Sequence, residues 1–341
     1  MALIAPLFEG PLDVVGDVHG EVDVLRALLD ALGYDADGVH PAGRRLVFVG
    51  DLCDRGPDSA AVVALVAGLA RRGLAQCVLG NHELSLLRRK SKHGNRWFID
   101  PAHPEQRGEF AASRAATDDE RTTALGFFDG LPLALEREDL RVVHAAWHGP
   151  SIDTLRAWEG SAIDAFSRYE RVIAETLARE GLEALAAAEL ARHRIHERDA
   201  SVPFLPHVAR RDELLQQGNP VRVVTSGLER AAARPFWASG KWRMVDRVRW
   251  WQDYDDPTAV IIGHYWRVAD ASLSGNKPDV FDGVAHDAWH GPRANVFCVD
   301  FSIGGRYRER SEGRARFATR LAAVRWPERE LVFDDGGRAS L

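Results

Sequence analysis

The chain has 341 residues, of which 45% are hydrophobic and 28% charged, so it can bury a large core. The net charge of −6 argues against a general attraction to nucleic acid or to an anionic membrane. No apolar run reaches the roughly 18 residues that a membrane helix needs, and the N-terminus lacks a secretory pattern. Three widely spaced cysteines predict free thiols, so we expect a cytoplasmic protein.

Strand and helix signals alternate three times in the first 90 residues. Apolar runs at 12–15, 46–49 and 76–79 each predict a short strand, followed by a polar loop and a helical pattern. The second helix is predicted over 60–70. The first has apolar residues at spacings of three and four: Val22, Leu25, Leu28, Leu29 and Leu32. This alternation predicts βαβ units and a largely parallel sheet.

The middle of the chain is predicted to be helical. After a fourth strand at 140–143, periodic apolar residues and an alanine-rich stretch occupy 153–198. We interpret this stretch as a helical insertion or cap within a single domain of residues 1–341. Later strand signals lie at 221–224, 260–262 and 296–299, and a final pair predicts a hairpin: 321–325 and 331–333.

Chemically reactive side chains follow the predicted strands. Because ligands of open α/β sheets bind beyond the carboxyl ends of strands, the first five of these side chains should meet at one edge of one sheet: Asp17, His19, Asp51, Asn81 and His82. His144 and His264 follow later predicted strands and add two more imidazoles. Carboxylate and amide oxygens mixed with imidazole suit manganese, iron, zinc or nickel better than a pure calcium or magnesium site.

This combination predicts a pair of divalent metal ions, with manganese as the first choice. Two cations held by a shared carboxylate would stand about 3.5–4 Å apart, the spacing used in binuclear phosphatases. Such ions lower the pKa of a bound water from ~15.7 towards about 7, and a bridging hydroxide can then attack phosphorus. The expected substrate is therefore a phosphoprotein, or a small phosphoester or nucleotide.

The chain closely resembles the phosphoprotein phosphatase (PPP) type of calcineurin-like metallophosphatase. The resemblance covers about residues 12–148 and 258–333 and implies an α/β fold of two central sheets flanked by helices. It is carried by GDVHG (16–20), GDLCDRG (50–56), GNHE (80–83), the later His144 and IIGHYW (261–266), and by the gaps of 21–49 and 57–79 between the first three motifs.

The end of the chain narrows the resemblance. CVDFSIGG (298–305) and RLAAVRWPERELV (320–332) are similar to the closing strands of bacterial diadenosine-tetraphosphatase-like enzymes and of the phosphatase domain of bacterial polynucleotide kinase-phosphatases. Those relatives usually have Asp-Thr where this chain has Asp300-Phe301-Ser302, which leaves the role of Asp300 open. No GxxxxGK[ST] motif occurs, so we expect no kinase module.

The resemblance also implies roles for individual residues. The ligands of one ion would be Asp17, His19 and Asp51, and those of the other would be Asp51 (bridging), Asn81, His144 and His264. The catalytic group would comprise His82 as general acid, Asp54 holding it, Arg55 as phosphate clamp, and Arg249 as a second clamp with Arg247 close behind it.

These roles give three hypotheses about function. The first is hydrolysis of phosphomonoesters in the manner of a protein serine/threonine phosphatase. The second is hydrolysis of dinucleoside polyphosphates such as diadenosine tetraphosphate, or of nucleic-acid phosphate ends. The third is a degenerate metal-binding module without activity, against which the complete set of ligands with His82, Asp54 and Arg55 argues. The sequence names neither the physiological substrate, nor the native metal pair, nor the oligomeric state.

Overall fold

The computed structural model of the chain describes residues 2–104, 108–269, 280–281 and 283–341. Most of its strands are short and buried, because the apolar runs that form them are only three to five residues long. The strands are β1 Ile4–Pro6, β2 Leu12–Val15, β3 Arg45–Phe48, β4 Ala75–Cys77, β5 Ala134–Glu136, β6 Leu140–Val143, β7 Glu229–Ala238, β8 Lys241–Arg247, β9 Ala259–Ile262, β10 Val296–Cys298, β11 Ala322–Trp326, β12 Glu330–Phe333 and β13 Arg338–Ser340.

Two of the sheets in the described residues form the centre of the fold. One has the order β13-β12-β11-β2-β3-β4, in which β2, β3 and β4 are parallel and the C-terminal strands are antiparallel. The other has the order β1-β5-β6-β9-β10, with β6, β9 and β10 parallel. Val14 and Val47 of the first sheet pack in one apolar cluster with Val142 and Ile261 of the second. The two central sheets of the predicted α/β fold are thus confirmed.

Helices cover the outer faces of these sheets. The first, α1, buries the five apolar positions that were predicted for it, and a left-handed Gly33 ends it. The helices are α1 Val22–Leu32, α2 Ser59–Arg71, α3 Asn81–Leu87, α4 Arg96–Ile99, α5 Asp118–Asp129, α6 Gly149–Arg156, α7 Ala162–Arg179, α8 Leu182–Leu190, α9 Pro206–Gln217, α10 Pro220–Ser226 and α11 Arg306–Ser311, with 3-10 turns at Trp250–Gln252 and Ile303–Gly305. None of them combines the length and the apolar character needed to cross a lipid bilayer.

The predicted strand at 221–224 is wrong, because these residues belong to α10. Pro220 occupies the first turn, where its missing N–H costs nothing. The side chain of Asn219 accepts hydrogen bonds from the backbone N–H groups of Val221 and Arg222. This cap and the buried valine face outweigh the strand preference of β-branched residues.

Helical structure in the middle of the chain also extends beyond the predicted 153–198. It begins at Gly149 with α6, continues to Ser226 at the end of α10, and is followed by the β7–β8 hairpin. Val208 of α9 and Met244 of β8 share a small apolar cluster with Ala186 of α8. The helices after residue 198 are therefore part of the same layer as those before it.

Candidate active site

The loops that follow five buried strands bring their polar side chains together. Asp17 and His19 follow β2, and Asp51 follows β3. Asn81 and His82 begin α3 just after β4, while His144 follows β6 and His264 follows β9. Among the described residues, two groups of candidate ligands have donor atoms within 4.8 Å of one another: His19 with Asp51 and His82, and Asp51 with His144 and His264.

Asp51 is the carboxylate that these two groups share. Its Oδ1 lies 3.4 Å from Nε2 of His144, and its Oδ2 lies 3.8 Å from Nε2 of His19 and 3.9 Å from Nε2 of His82. Burial opposes its ionisation, but the neighbouring His144 and His82 hold the pKa of Asp51 well below its usual value. An ionised carboxylate with imidazoles on both sides is able to bridge two cations.

Backbone carbonyls orient two of the histidines. Nδ1 of His19 lies 3.0 Å from the carbonyl of Cys53, and Nδ1 of His144 lies 2.7 Å from the carbonyl of Val49. A carbonyl only accepts, so each Nδ1 donates, and each ring, once neutral, presents a lone pair on Nε2 to the cluster. Histidines that bind metals are normally fixed in this way.

The other two candidate oxygen ligands, Asn81 and Asp17, contact His264 in the loop after β9. Oδ1 of Asn81 lies 2.9 Å from Nδ1 of His264 and 3.2 Å from Nε2 of His144. The backbone N–H of His264 donates to Asp17 at 3.2 Å, which fixes the loop after β9 against the loop after β2. Burial, and then the charge of Asp300, raises the pKa of Asp17.

The electrostatics of this cluster fit a pair of divalent cations. Burial alone would lower the pKa of His144, but Asp51 and Asp17 overcome this and raise it to about 10. The buried carboxylates thus hold positive charge on a ring that must be neutral to bind a metal. Cations would supply the same charge and free that ring, and the mixed oxygen and imidazole donors suit a transition metal.

Glu83 holds the backbone of two loops that carry the cluster, a role that the sequence did not predict. Its carboxylate accepts the backbone N–H groups of Asp51 at 2.9 Å, Leu52 at 2.8 Å and Gly80 at 3.0 Å. It also accepts the thiol of Cys53 at 3.2 Å, which is buried. One side chain therefore ties the loop after β3 to the loop after β4. The only signal in the sequence was its place in GNHE.

A chain of hydrogen bonds runs from His82 away from the cluster to Asp54 and Trp97. Nδ1 of His82 lies 2.5 Å from Oδ2 of Asp54, whose Oδ1 accepts the indole N–H of Trp97 at 2.6 Å. Burial raises the pKa of Asp54 to about 7 and lowers the pKa of His82. The sequence predicted the pair of His82 and Asp54 but gave Trp97 no defined role.

Arg55 contacts two of the candidate ligands, His19 and His82. Its Nη1 is 3.1 Å from Nε2 of His19, and its Nη2 is 3.1 Å from Nε2 of His82. The guanidinium also lies 4.9 Å from the ring of Trp266. Both terminal nitrogens therefore face the candidate metal ligands, where a bound phosphoryl group would need donors.

Arg247, the alternative to Arg249 as second clamp, lies near the cluster. Burial lowers the pKa of His264, and the positive charge of Arg247 lowers it further. The guanidinium of Arg247 lies 5.6 Å from the ring of Tyr265, the residue after His264. Arg249 instead precedes the 3-10 turn Trp250–Gln252 as its N-cap.

Asp300 holds two further loops of the site together. It accepts the backbone N–H of Trp266 and that of Ser302, both at 2.8 Å. Trp266 lies in the loop that carries His264, and Ser302 lies in the loop that carries Gly304. Asp300 therefore acts on the site by positioning backbone, and its carboxylate oxygens are engaged in these bonds.

Gly304 leaves no room for a side chain next to the cluster. A Cβ there would lie 2.4 Å from Cδ2 of His19 and 2.5 Å from Nη1 of Arg55. We expect Gly304→Ala to lower kcat/KM for nitrophenyl phosphate by about 10²-fold, because a displacement of about 1 Å in a site has this effect. Gly126→Ala in α5, where a Cβ meets nothing within 4 Å, is the matched control. Equal kcat/KM values for both variants and the wild type would contradict the geometry.

The chain is similar to a known protein family and to named relatives of known sequence. A family model described as calcineurin-like phosphoesterase matches residues 10–267. The asymmetrical bis(5'-nucleosyl)-tetraphosphatase PrpE of Halalkalibacterium halodurans is 49% identical over 73 residues, which are 20% of this chain and 30% of that relative. The match thus spans less than a third of the relative's length.

Two solved structures are similar over most of the chain. One, described provisionally as a diadenosine tetraphosphatase, aligns over 98% of this chain and 97% of its own, with a TM-score of 0.44 and 18% identity. The other is a cold-active protein-tyrosine phosphatase of a psychrophilic Shewanella species. It aligns over 100% of this chain and 82% of its own, with a TM-score of 0.49 and 18% identity.

Proposed function

Because this chain belongs to the calcineurin-like phosphoesterase family, a family of metal-dependent hydrolases, we propose that it cleaves phosphoric esters and anhydrides with two divalent ions. The observation that carries the proposal is Asp51, a carboxylate shared by two groups of histidines. The proposed ligands of one ion are Asp17, His19 and Asp51. Those of the other are Asp51, Asn81, His144 and His264.

Side chains of the protein are proposed to bind the phosphoryl group, to donate a proton and to add positive charge. When bound, two such ions lower the pKa of water and neutralise phosphoryl oxygens. Arg55 is placed to hold the phosphoryl group, since its two terminal nitrogens point at the cluster and a guanidinium matches two phosphate oxygens. His82, with Nδ1 bonded to Asp54, is placed to give a proton to the departing oxygen in the state in which Nε2 is protonated and Arg55 binds phosphate and not Nε2. Arg247 and Lys92 add positive charge, as their effects on the pKa values of His264 and His82 indicate.

Removal of the metals tests the first part of this proposal. We expect dialysis against a chelator to abolish hydrolysis of nitrophenyl phosphate and added Mn²⁺ to restore it. Metal content is measured in parallel by inductively coupled plasma mass spectrometry. Full activity in protein whose metal content is verified as nil would refute a metal-dependent reaction.

For the substrate, we propose nucleotides linked by a polyphosphate chain, ahead of phosphoproteins. Support comes from the name of the PrpE relative, a tetraphosphatase, and from the indole of Trp266, which is partly exposed beside Arg55 and offers an aromatic surface next to a phosphate clamp. This order reverses the one expected from the sequence.

Phosphomonoesters of the serine/threonine type remain the second candidate. The bond between His82 and Asp54 favours them, because an alkoxide leaving group needs a proton and a departing phosphate needs it less. A panel of phosphopeptides, nucleotides and diadenosine tetraphosphate decides between the two. A best phosphopeptide with kcat/KM about a hundredfold above that of the dinucleotide, about 2.7 kcal/mol, would favour the second candidate.

A further inference from the structure

A cavity lined by arginines lies beside the candidate active site. It has a volume of about 510 Å³ and opens to solvent. We refer to it as the arginine cavity, and its lining includes His286, Arg306, Arg316, Phe317, Thr319 and Arg320. None of these side chains belongs to the metal cluster or to the acid pair described above.

A short piece of backbone connects this cavity to the cluster. Gly304 lies against His19 and Arg55, and Arg306, two residues later, lines the cavity. Between them, a Cβ added at Gly305 would lie 3.3 Å from the ring of Trp266 and 3.4 Å from Cγ2 of Thr319. Trp266 in turn lies against Arg55. Trp266 and Gly305 therefore lie between Arg55 and the lining of the cavity.

The cavity carries an excess of positive charge. Arg306 is buried and forms an ion pair of 3.3 Å with Asp334, and Arg320 pairs with Asp335. Arg316 is exposed and, among the described residues, forms no ion pair. Three guanidinium groups thus face two carboxylates, and the unpaired one is at the solvent side. Such a surface favours an anionic group, and a guanidinium is suited to phosphate oxygens.

We propose that the arginine cavity binds the anionic leaving group of the substrate, the part of a nucleotide polyphosphate chain beyond the scissile bond. This inference rests on the proposed function for the position of the reacting phosphoryl group at Arg55. In hydrolysis, a water oxygen bonds to that phosphorus and the bond to the bridging oxygen breaks. The bridging oxygen keeps the electron pair and leaves with the phosphates held at Arg316, as an anion or after taking a proton from His82, and the proton lost by the attacking water goes to solvent.

The neutral variant Arg316→Ala tests this assignment, and Arg314→Ala is its matched control. Arg314 is also exposed and two residues away, but it pairs with Glu309 and Glu312 and does not line the cavity. In the metal-loaded protein, kcat/KM is measured for diadenosine tetraphosphate and for nitrophenyl phosphate. We expect the ratio of the two values to fall about tenfold in Arg316→Ala, as the loss of one charge-assisted hydrogen bond predicts, and to stay unchanged in Arg314→Ala.

A binding measurement separates this inference from the proposed function. Inorganic tripolyphosphate is titrated calorimetrically into the wild type, Arg316→Ala and Arg314→Ala in a fixed excess of Mg²⁺. We expect its dissociation constant to rise about tenfold in Arg316→Ala only. If the wild type hydrolyses no phosphoester with any metal, the proposed function fails, and the titration still decides on the cavity. Tripolyphosphate that binds all three proteins equally, or none of them, overturns the assignment of the cavity.

Discussion

Replacing Asp51 with asparagine is expected to lower kcat/KM by about 10³-fold or more, equivalent to about 4 kcal/mol of transition-state stabilisation. Both groups of candidate ligands use this one carboxylate, with its Oδ1 near His144 and its Oδ2 near His19. An amide of the same shape presents one neutral oxygen and one NH₂ group, which only donates. It therefore repels a cation on one side and removes the negative charge that holds two.

The fold of this variant should be retained, because asparagine keeps the volume of the buried side chain. Thermal unfolding, metal content and kcat/KM are measured together. Asp153→Asn, an exposed aspartate of α6 that pairs only with Arg156, is the control and should keep all three values. A variant at Asp51 with two bound metal ions per chain and the wild-type rate would show that this carboxylate is not the bridge.

Replacing His82 with alanine is expected to affect substrates according to their leaving group. The loss should be about 10²–10⁴-fold for alkyl phosphates, the usual contribution of a general acid, and much smaller for nitrophenyl phosphate. Nitrophenolate leaves without a proton, whereas an alkoxide needs one at the oxygen that leaves phosphorus. Asp54→Asn should show the same pattern more weakly, since it removes the carboxylate 2.5 Å from Nδ1 but leaves the imidazole.

The chain offers a control with the same type of contact. His207 of α9 also has Nδ1 bonded to a carboxylate, at 2.7 Å from Glu189, but it lies on the surface in the helical layer. His207→Ala should leave the rates for both substrates unchanged. Equal losses for both substrates in His82→Ala would show that His82 positions a metal or binds phosphate, and does not donate a proton.

Strain at the site is a feature that the sequence did not reveal. His19, Asp51, Arg55 and His264 all have positive φ angles, between 48° and 72°. Side chains other than glycine rarely adopt such angles, and the cost is about 1–3 kcal/mol for each. The contacts of Glu83 to the backbone around Asp51 are part of what offsets this cost. Motifs show which residue types occur in a loop, but not that the loop must be held in this conformation.

The sequence by itself determined the elements that depend on local patterns. The runs at 12–15 and 140–143 became β2 and β6 with the predicted bounds, and α1 buries the predicted face. Because parallel strands of one sheet end at one edge, the polar residues that follow β2 and β3 also met there, as His19 and Asp51 show. These outcomes need only periodicity, turn residues and the general geometry of α/β sheets. His144 and His264 follow strands of the other sheet, and the packing of the two sheets brought them to the same place.

Only the tertiary structure decided the features that depend on distant partners. The three-residue strands β1 and β5 are too short to signal themselves and exist because they pair with each other. Trp97 reaches Asp54 across 43 residues, and Asn81 reaches His264 across 183. Hydrogen bonds and charges act over a few ångströms in space, and the sequence does not state which distant residues the fold brings within that range.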